Sequence, residues 1–143
     1  MAFPFRSPRE KVGGLFVFGR ILDKIRYHAK EGHLPEGYHL GLVPGMRTFD
    51  HRVCSFLGLN YDDLARRTLE GGSDEEILEW CFQHGRRPDQ EQIDIWNAFL
   101  SKRGWRDEAS AKVAEQKDAL GLSHRDDLQT IFDLMDAEER HGA

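Results

Sequence analysis

The chain has 143 residues and a formal net charge of -5, is 39% hydrophobic and 31% charged, and carries two cysteines. That is the profile of one soluble globular domain with a single core. It is too poor in cysteine for a disulfide framework and lacks the basic excess that marks nucleic-acid or anionic-membrane binders. No apolar run approaches the roughly eighteen residues that cross a bilayer, and the N-terminal region, charged at Arg6, Arg9, Glu10 and Lys11 and then broken at Gly19 and Arg20, makes a poor signal peptide, so a cytoplasmic protein is expected.

In chain order, Ser7-Pro8-Arg9-Glu10 combines a capping serine, proline at N1 and glutamate at N3. Gly13 and Gly14 follow at once, so a short turn is expected before a main helix over residues 15–30. There Phe18, Ile21, Leu22, Ile25 and Ala29 share one face with His28 at its border, while Asp23, Lys24, Arg26 and Tyr27 share the other. Periodicity then disappears under Gly32, Pro35, Gly37, Gly41, Pro44 and Gly45, which predicts an irregular loop over 32–47, the candidate lid of the fold. Within it Tyr38, Leu40 and Leu42 alternate as a short extended stretch. A short helix over 48–57 with Phe49, Val53 and Phe56 inward ends at Gly58, and Asn60 caps the next, which carries Leu64, Ala65, Thr68 and Leu69.

Residues 73–109 form the expected centre, since they hold Trp80, Trp96 and Trp105, Cys81 and the tightest basic clusters. Ser73 and Glu76 make a capping box that starts a helix at Asp74, in which Ile77, Cys81 and His84 fall within about 60° of one another. Gly85 is expected to end it in the left-handed conformation. Asp89 caps a second helix, with Gln92 three residues on, and Ile93, Ile95, Trp96, Phe99 and Leu100 spread over an apolar face of roughly 160°. With Gly104 just past its end, Trp105 and Leu100 are the pair that touch in a Schellman ending. Asp107 and Glu108 open a third helix with Ala109, Val113, Gln116 and Leu120 in a narrow stripe, and a last helix over 125–139 carries Leu128, Ile131, Phe132 and Met135.

Glu79-Trp80-Cys81-Phe82, His84-Gly85-Arg86-Arg87-Pro88, Trp96-Asn97-Ala98-Phe99 and the run from Ser101 through Gly104, Trp105, Arg106 and Asp107 to Glu108 resemble a family of small bacterial proteins known only as a domain of unknown function. The similarity continues through Asp126-Asp127-Leu128-Gln129-Thr130-Ile131-Phe132-Asp133 and, more loosely, back to Ser7-Pro8-Arg9-Glu10-Lys11. It implies a single helical domain and carries with it no activity, cofactor or catalytic residue.

Four constellations bear on function. Arg86, Arg87, Lys102, Arg103 and Arg106 bracket the second central helix, where they either clamp a phosphate or carboxylate or simply complement helix ends and pair with nearby acids. His51 with Cys54 and Cys81 with His84 share i, i+3 spacing, but one pair faces the core and the other the polar side, so no metal or cofactor is expected. His28 and His84 at apolar borders, with Tyr38, Asp50 and Asn97, are candidates for acid–base chemistry or for structural roles. Trp80, Trp96 and Trp105 either rim a binding surface or pack helices together.

The resulting expectation is an all-α, compact single-domain bundle of about six or seven helices over 1–143, with a partly ordered N-terminal arm over 1–13 and the loop over 32–47, all wrapped on a hairpin formed by the two helices of 73–103. The expected function is that of a non-catalytic binding module. Arg86, Arg87, Trp96, Asn97, Arg103, Trp105 and Arg106 would hold a small anionic ligand or an acidic segment of a partner protein. The alternatives are a metal-independent enzyme using His28, His84 or Tyr38 in a loop-covered pocket, and an oligomer whose exposed aromatics meet a second copy.

Overall fold

A computed structural model describes residues 2–41 and 43–141. Among them run seven helices: α1 (Phe18–Glu31), α2 (Phe49–Leu57), α3 (Tyr61–Leu69), α4 (Asp74–His84), α5 (Gln90–Lys102), α6 (Ser110–Ala119) and α7 (Ile131–Glu139). The fold is all-α; the described residues add only two isolated bridges, Val12 with Leu15 and Val43 with Met46. Tyr38 and Leu40 join no strand, and Leu42 lies outside the described residues.

The caps place most of these starts. Thr48, Asn60, Ser73 and Asp89 each accept from backbone amides of the first turn, and Ser73 with Glu76 and Asp89 with Gln92 complete reciprocal capping boxes. A third box, Thr130 with Asp133, starts α7 several residues later than the apolar pattern through Leu128 predicts. Ser7-Pro8-Arg9-Glu10 closes only a turn, Glu10 N–H to Ser7 C=O, because Gly13 and Gly14 at φ +56° and +85° fold the chain into a tight reversal before α1.

The centre of the core is α1 rather than an α4–α5 hairpin. Phe18, Ile21 and Leu22 are fully buried and Ile25 nearly so, against Val53 and Leu57 of α2, Leu64 of α3, Ile77, Leu78 and Cys81 of α4, Leu100 of α5 and Phe132 of α7. α1 lies against α2 and α3, α4 packs on α3, and α5 and α6 pack on α7, so the two helices expected to pair are held by different partners. Val113, Leu128 and Leu134 form a small separate cluster beneath α6. The N-terminal arm is anchored by Phe5, which is buried, and by Arg6, which bonds Asp23 of α1 and Asp74 of α4.

Two helix endings depart from expectation. Gly85 sits at φ -107°, not left-handed; a Cβ there would lie 2.0 Å from the Leu57 carbonyl oxygen, so glycine is required by the close approach of α4's end to α2's end, where Arg86 N–H also donates to Leu57. The Schellman contact does not form. Gly104, at φ +104°, gives its N–H to the Asp107 carboxylate, and Trp105 turns outward to 46% exposure. Asp107 also accepts from Ala109 N–H, so the expected acidic opening of α6 is an Asx-type turn just ahead of the helix. Leu69 is likewise exposed rather than packed.

Two cations are buried on α1 one turn apart. Arg20 grips Glu139 through two bonds of 2.6 Å, and Lys24 meets Asp50 at 2.6 Å, with every one of these side chains at 10% exposure or less. The 32–47 loop is pinned over them: Tyr38 donates to Glu139, Lys24 donates to the His39 carbonyl, and Thr48 donates to the Gly41 carbonyl. Glu139→Ala strands the Arg20 charge, and is expected to cost about 3–5 kcal/mol in chemical denaturation. The pair Arg20→Met with Glu139→Leu should recover most of that loss.

Candidate functional site

Helix α5 presents two chemically different sides. Ile93, Asn97 and Leu100 point into the molecule, and at about 100° per residue the side opposite them carries Glu91, Ile95, Ala98, Phe99 and Lys102, all exposed. The buried face of α5 is therefore narrower than the apolar one: Ile95 is 66% exposed and Phe99 38%.

Between those two sides Trp96 stacks on Phe56 of α2 at a centroid distance of 4.7 Å and 10° between planes, and on Phe99 at 5.4 Å and 21°. Such pairs add about 0.5–1.5 kcal/mol each beyond burial. The indole Nε1 of Trp96 is buried without a hydrogen-bond partner. Guanidinium groups close both ends of this ladder. Arg86 lies 4.7 Å from the Phe56 centroid and bonds the Phe56 carbonyl through Nε, while Arg52 lies 5.2 Å and Arg103 6.0 Å from Phe99. Arg103 reaches Asp107 at 3.5 Å; Arg52 and Arg86 have no carboxylate within ion-pair distance among the described residues. Arg52 sits below its ordinary pKa, first because burial disfavours its charge and then because Arg103 and Arg47 crowd it. This is a local cation surplus on an acidic chain.

The structure thus brings Arg86, Trp96 and Arg103 onto one surface and separates the other predicted residues from it. Arg87 pairs with Glu79 and lies over Phe82 of α4. Asn97 is buried and structural, donating to the Gly14 carbonyl and accepting from Phe16 N–H, which clamps the reversal before α1. Trp105 and Arg106 cover each other in the α5–α6 turn, with Arg106 at φ +49°. Arg52, Phe56 and Phe99 complete the ladder and were not singled out from sequence; the signal present was the i, i+4 spacing of Arg52 and Phe56.

The candidates for acid–base chemistry do not converge. His84 is exposed, stacked on Trp80 and bonded to its carbonyl, instead of lying on the core face. His28 and Tyr38 line a shallow concavity of about 510 Å³ under the loop, but the Tyr38 hydroxyl is engaged by Glu139, and burial together with that carboxylate pushes its ionisation well above the usual phenol range. A second concavity of about 600 Å³ lies between the N-terminal arm and residues 138–141. No cluster of three or more His, Cys, Asp and Glu side chains among the described residues is placed to hold a metal ion.

An all-α domain with an aromatic and arginine surface shared by α2 and α5 is the class that this geometry defines. The chain belongs to a family described as a domain of unknown function (DUF5069), whose model matches residues 3–141. No curated protein matches it. No helix of the described residues is long and apolar enough to cross a membrane.

Burial pushes the Cys54 thiol up to about 12, with Asp50 adding to the effect, and burial pushes Cys81 up to about 12, with Cys54 nearby. Both stay protonated in the folded chain above the ordinary value of 9.0, where the unfolded chain ionises, so the stability they contribute below that pH is lost as the pH rises toward about 12. Thiol labelling of the native protein at neutral pH should run at least about a hundredfold slower than in denaturant. Rapid labelling of the native chain would contradict this burial.

Proposed function

We propose that the chain is a non-catalytic docking module whose α2–α5 surface accepts an acidic, apolar-bearing segment of a partner protein. The observation that carries this reading is the array of Arg52, Arg86 and Arg103 around the stacked Phe56, Trp96 and Phe99, with two of the three guanidiniums lacking a carboxylate within the described residues. Arginine offers fixed, planar donors to carboxylates, and aromatic rings supply contact area at low conformational cost. Both described concavities lie elsewhere, at the N-terminal arm and under the loop, which favours a segment laid across a surface over a small molecule enclosed in a pocket. The concavity shared by His28 and Tyr38 gives weaker support to an enzyme, since Tyr38 is already engaged and His84 lies apart.

Isothermal titration with a synthetic Glu- and Asp-rich peptide carrying one phenylalanine tests the reading. Binding is expected to weaken as salt is raised, and Arg52→Ala and Arg86→Ala should each weaken it by about tenfold while the chain stays folded by circular dichroism. Equal binding by both variants, or equal binding of a Lys-rich peptide, would refute it.

A further inference from the structure

The outward side of α5 is not only apolar at its middle but ordered in charge along its length. Glu91, Ile95, Ala98 and Lys102 succeed one another at spacings of four, three and four residues, the spacing of a heptad seam, and all four are exposed. Asp94 and Phe99 flank the seam. Glu91 and Lys102 have no ion-pair partner among the described residues. The helix dipole favours acids early and bases late, which accounts for the order of the signs. It does not account for Ile95 at 66% exposure between them, or for the aromatic ladder at its side.

A seam with acid at one end, base at the other and apolar residues between is its own complement when turned end for end. Placing a two-fold axis between Trp96 and Asn97 sets Glu91 of one copy against Lys102 of the other, and Ile95 against Ala98, in both directions at once. Ala98 at the seam allows close approach of the two helices, and Phe99 then covers the flank. A parallel arrangement would set like charges together at both ends.

We infer that the acidic segment accepted by this surface is that of a second copy of the chain, α5 pairing antiparallel with α5 about a two-fold axis. The inference rests on the docking reading above and names its partner. The acidic residues of 89–94 in one copy approach Lys102, Arg103 and Arg52 of the other, which is where the cation surplus lies. A stable dimer buries about 1,000 Å² or more, beyond what one pair of short helices supplies, so the contact extends over the Phe56, Trp96 and Phe99 ladder. The interface is isologous and closes at two copies.

Light scattering of the full chain across a concentration series tests it. The mass is expected to rise from 16.5 kDa toward twice that value. Ile95→Glu should shift the midpoint at least about tenfold higher in concentration with no change in melting temperature of the dilute chain. Glu91→Lys and Lys102→Glu should each have the same effect alone, because an antiparallel pair then sets like charges together at both ends whereas a parallel pair is no worse than the wild type, and mixing the two variants should restore the doubled mass. A wild-type mass that stays at one copy while the acidic peptide still binds would overturn the self-pairing and leave the docking reading intact. A dimer indifferent to all three substitutions would place the interface elsewhere and overturn it too. A monomer that also fails to bind the peptide would remove both readings.

Discussion

Two cations buried one turn apart on a single helix dictate how the rest of the chain closes. Arg20 and Lys24 lie on the side of α1 away from its apolar face and are buried because α2, α7 and the 32–47 loop cover that side. Their counterions come from α7 and α2, and the remaining polar groups come from the 32–47 loop, through Tyr38 and the His39 carbonyl. Pairs of this kind contribute little net stability, since desolvation offsets most of the attraction, but an arrangement that left either cation without its acid would be penalised heavily. The pairs therefore select one placement of the loop, of α2 and of the C-terminal helix.

The same constraint separates structural charge from available charge. Arg6 is held by Asp23 and Asp74, Arg9 by Asp133 and Asp136, Arg20 by Glu139 and Arg26 by Asp74, so the arginines of the N-terminal arm and α1 are spent on joining elements. Arg47, Arg52 and Arg86 have no such partner among the described residues, and Arg103 has only the 3.5 Å contact with Asp107. A net charge of -5 for the whole chain conceals this local excess. Whole-chain charge argues about solubility and nonspecific partners, whereas docking depends on the field over one surface.

Local rules were legible in the sequence and long-range ones were not. Ser73, Asp89 and Asn60 are read as caps because a cap and its amide lie within three residues of each other. The pairing of Arg20 with Glu139 spans the chain, and Asp50 and Glu139 carry no periodic signature of burial. Gly85 shows the same limit: a glycine at a helix end is ordinarily explained by handedness, but here the reason is the approach of the Leu57 carbonyl, which belongs to another helix. Of the candidate site residues, Arg86, Trp96 and Arg103 lie together because one helix and its flanks bring them there. Arg52 and Phe56 are not legible as neighbours of Trp96 because α2 supplies them from outside that helix, and the burial of Asn97 is not legible because its partners, Gly14 and Phe16, are far away in sequence.

Arginine, rather than lysine, is what makes the ladder a surface of one kind. A guanidinium can lie over a ring and still direct donors outward, so Arg52 and Arg86 contribute to the stack with Phe99 and Phe56 while their charge remains available. A lysine at the same positions would present a compact, strongly hydrated ammonium and give up the stacking. The ladder in turn restrains the arginines: a side chain held against a ring loses less rotamer freedom on meeting a carboxylate than one moving freely in water. Aromatic stacking and charge therefore act together on this face, the rings placing the guanidiniums before any acid arrives.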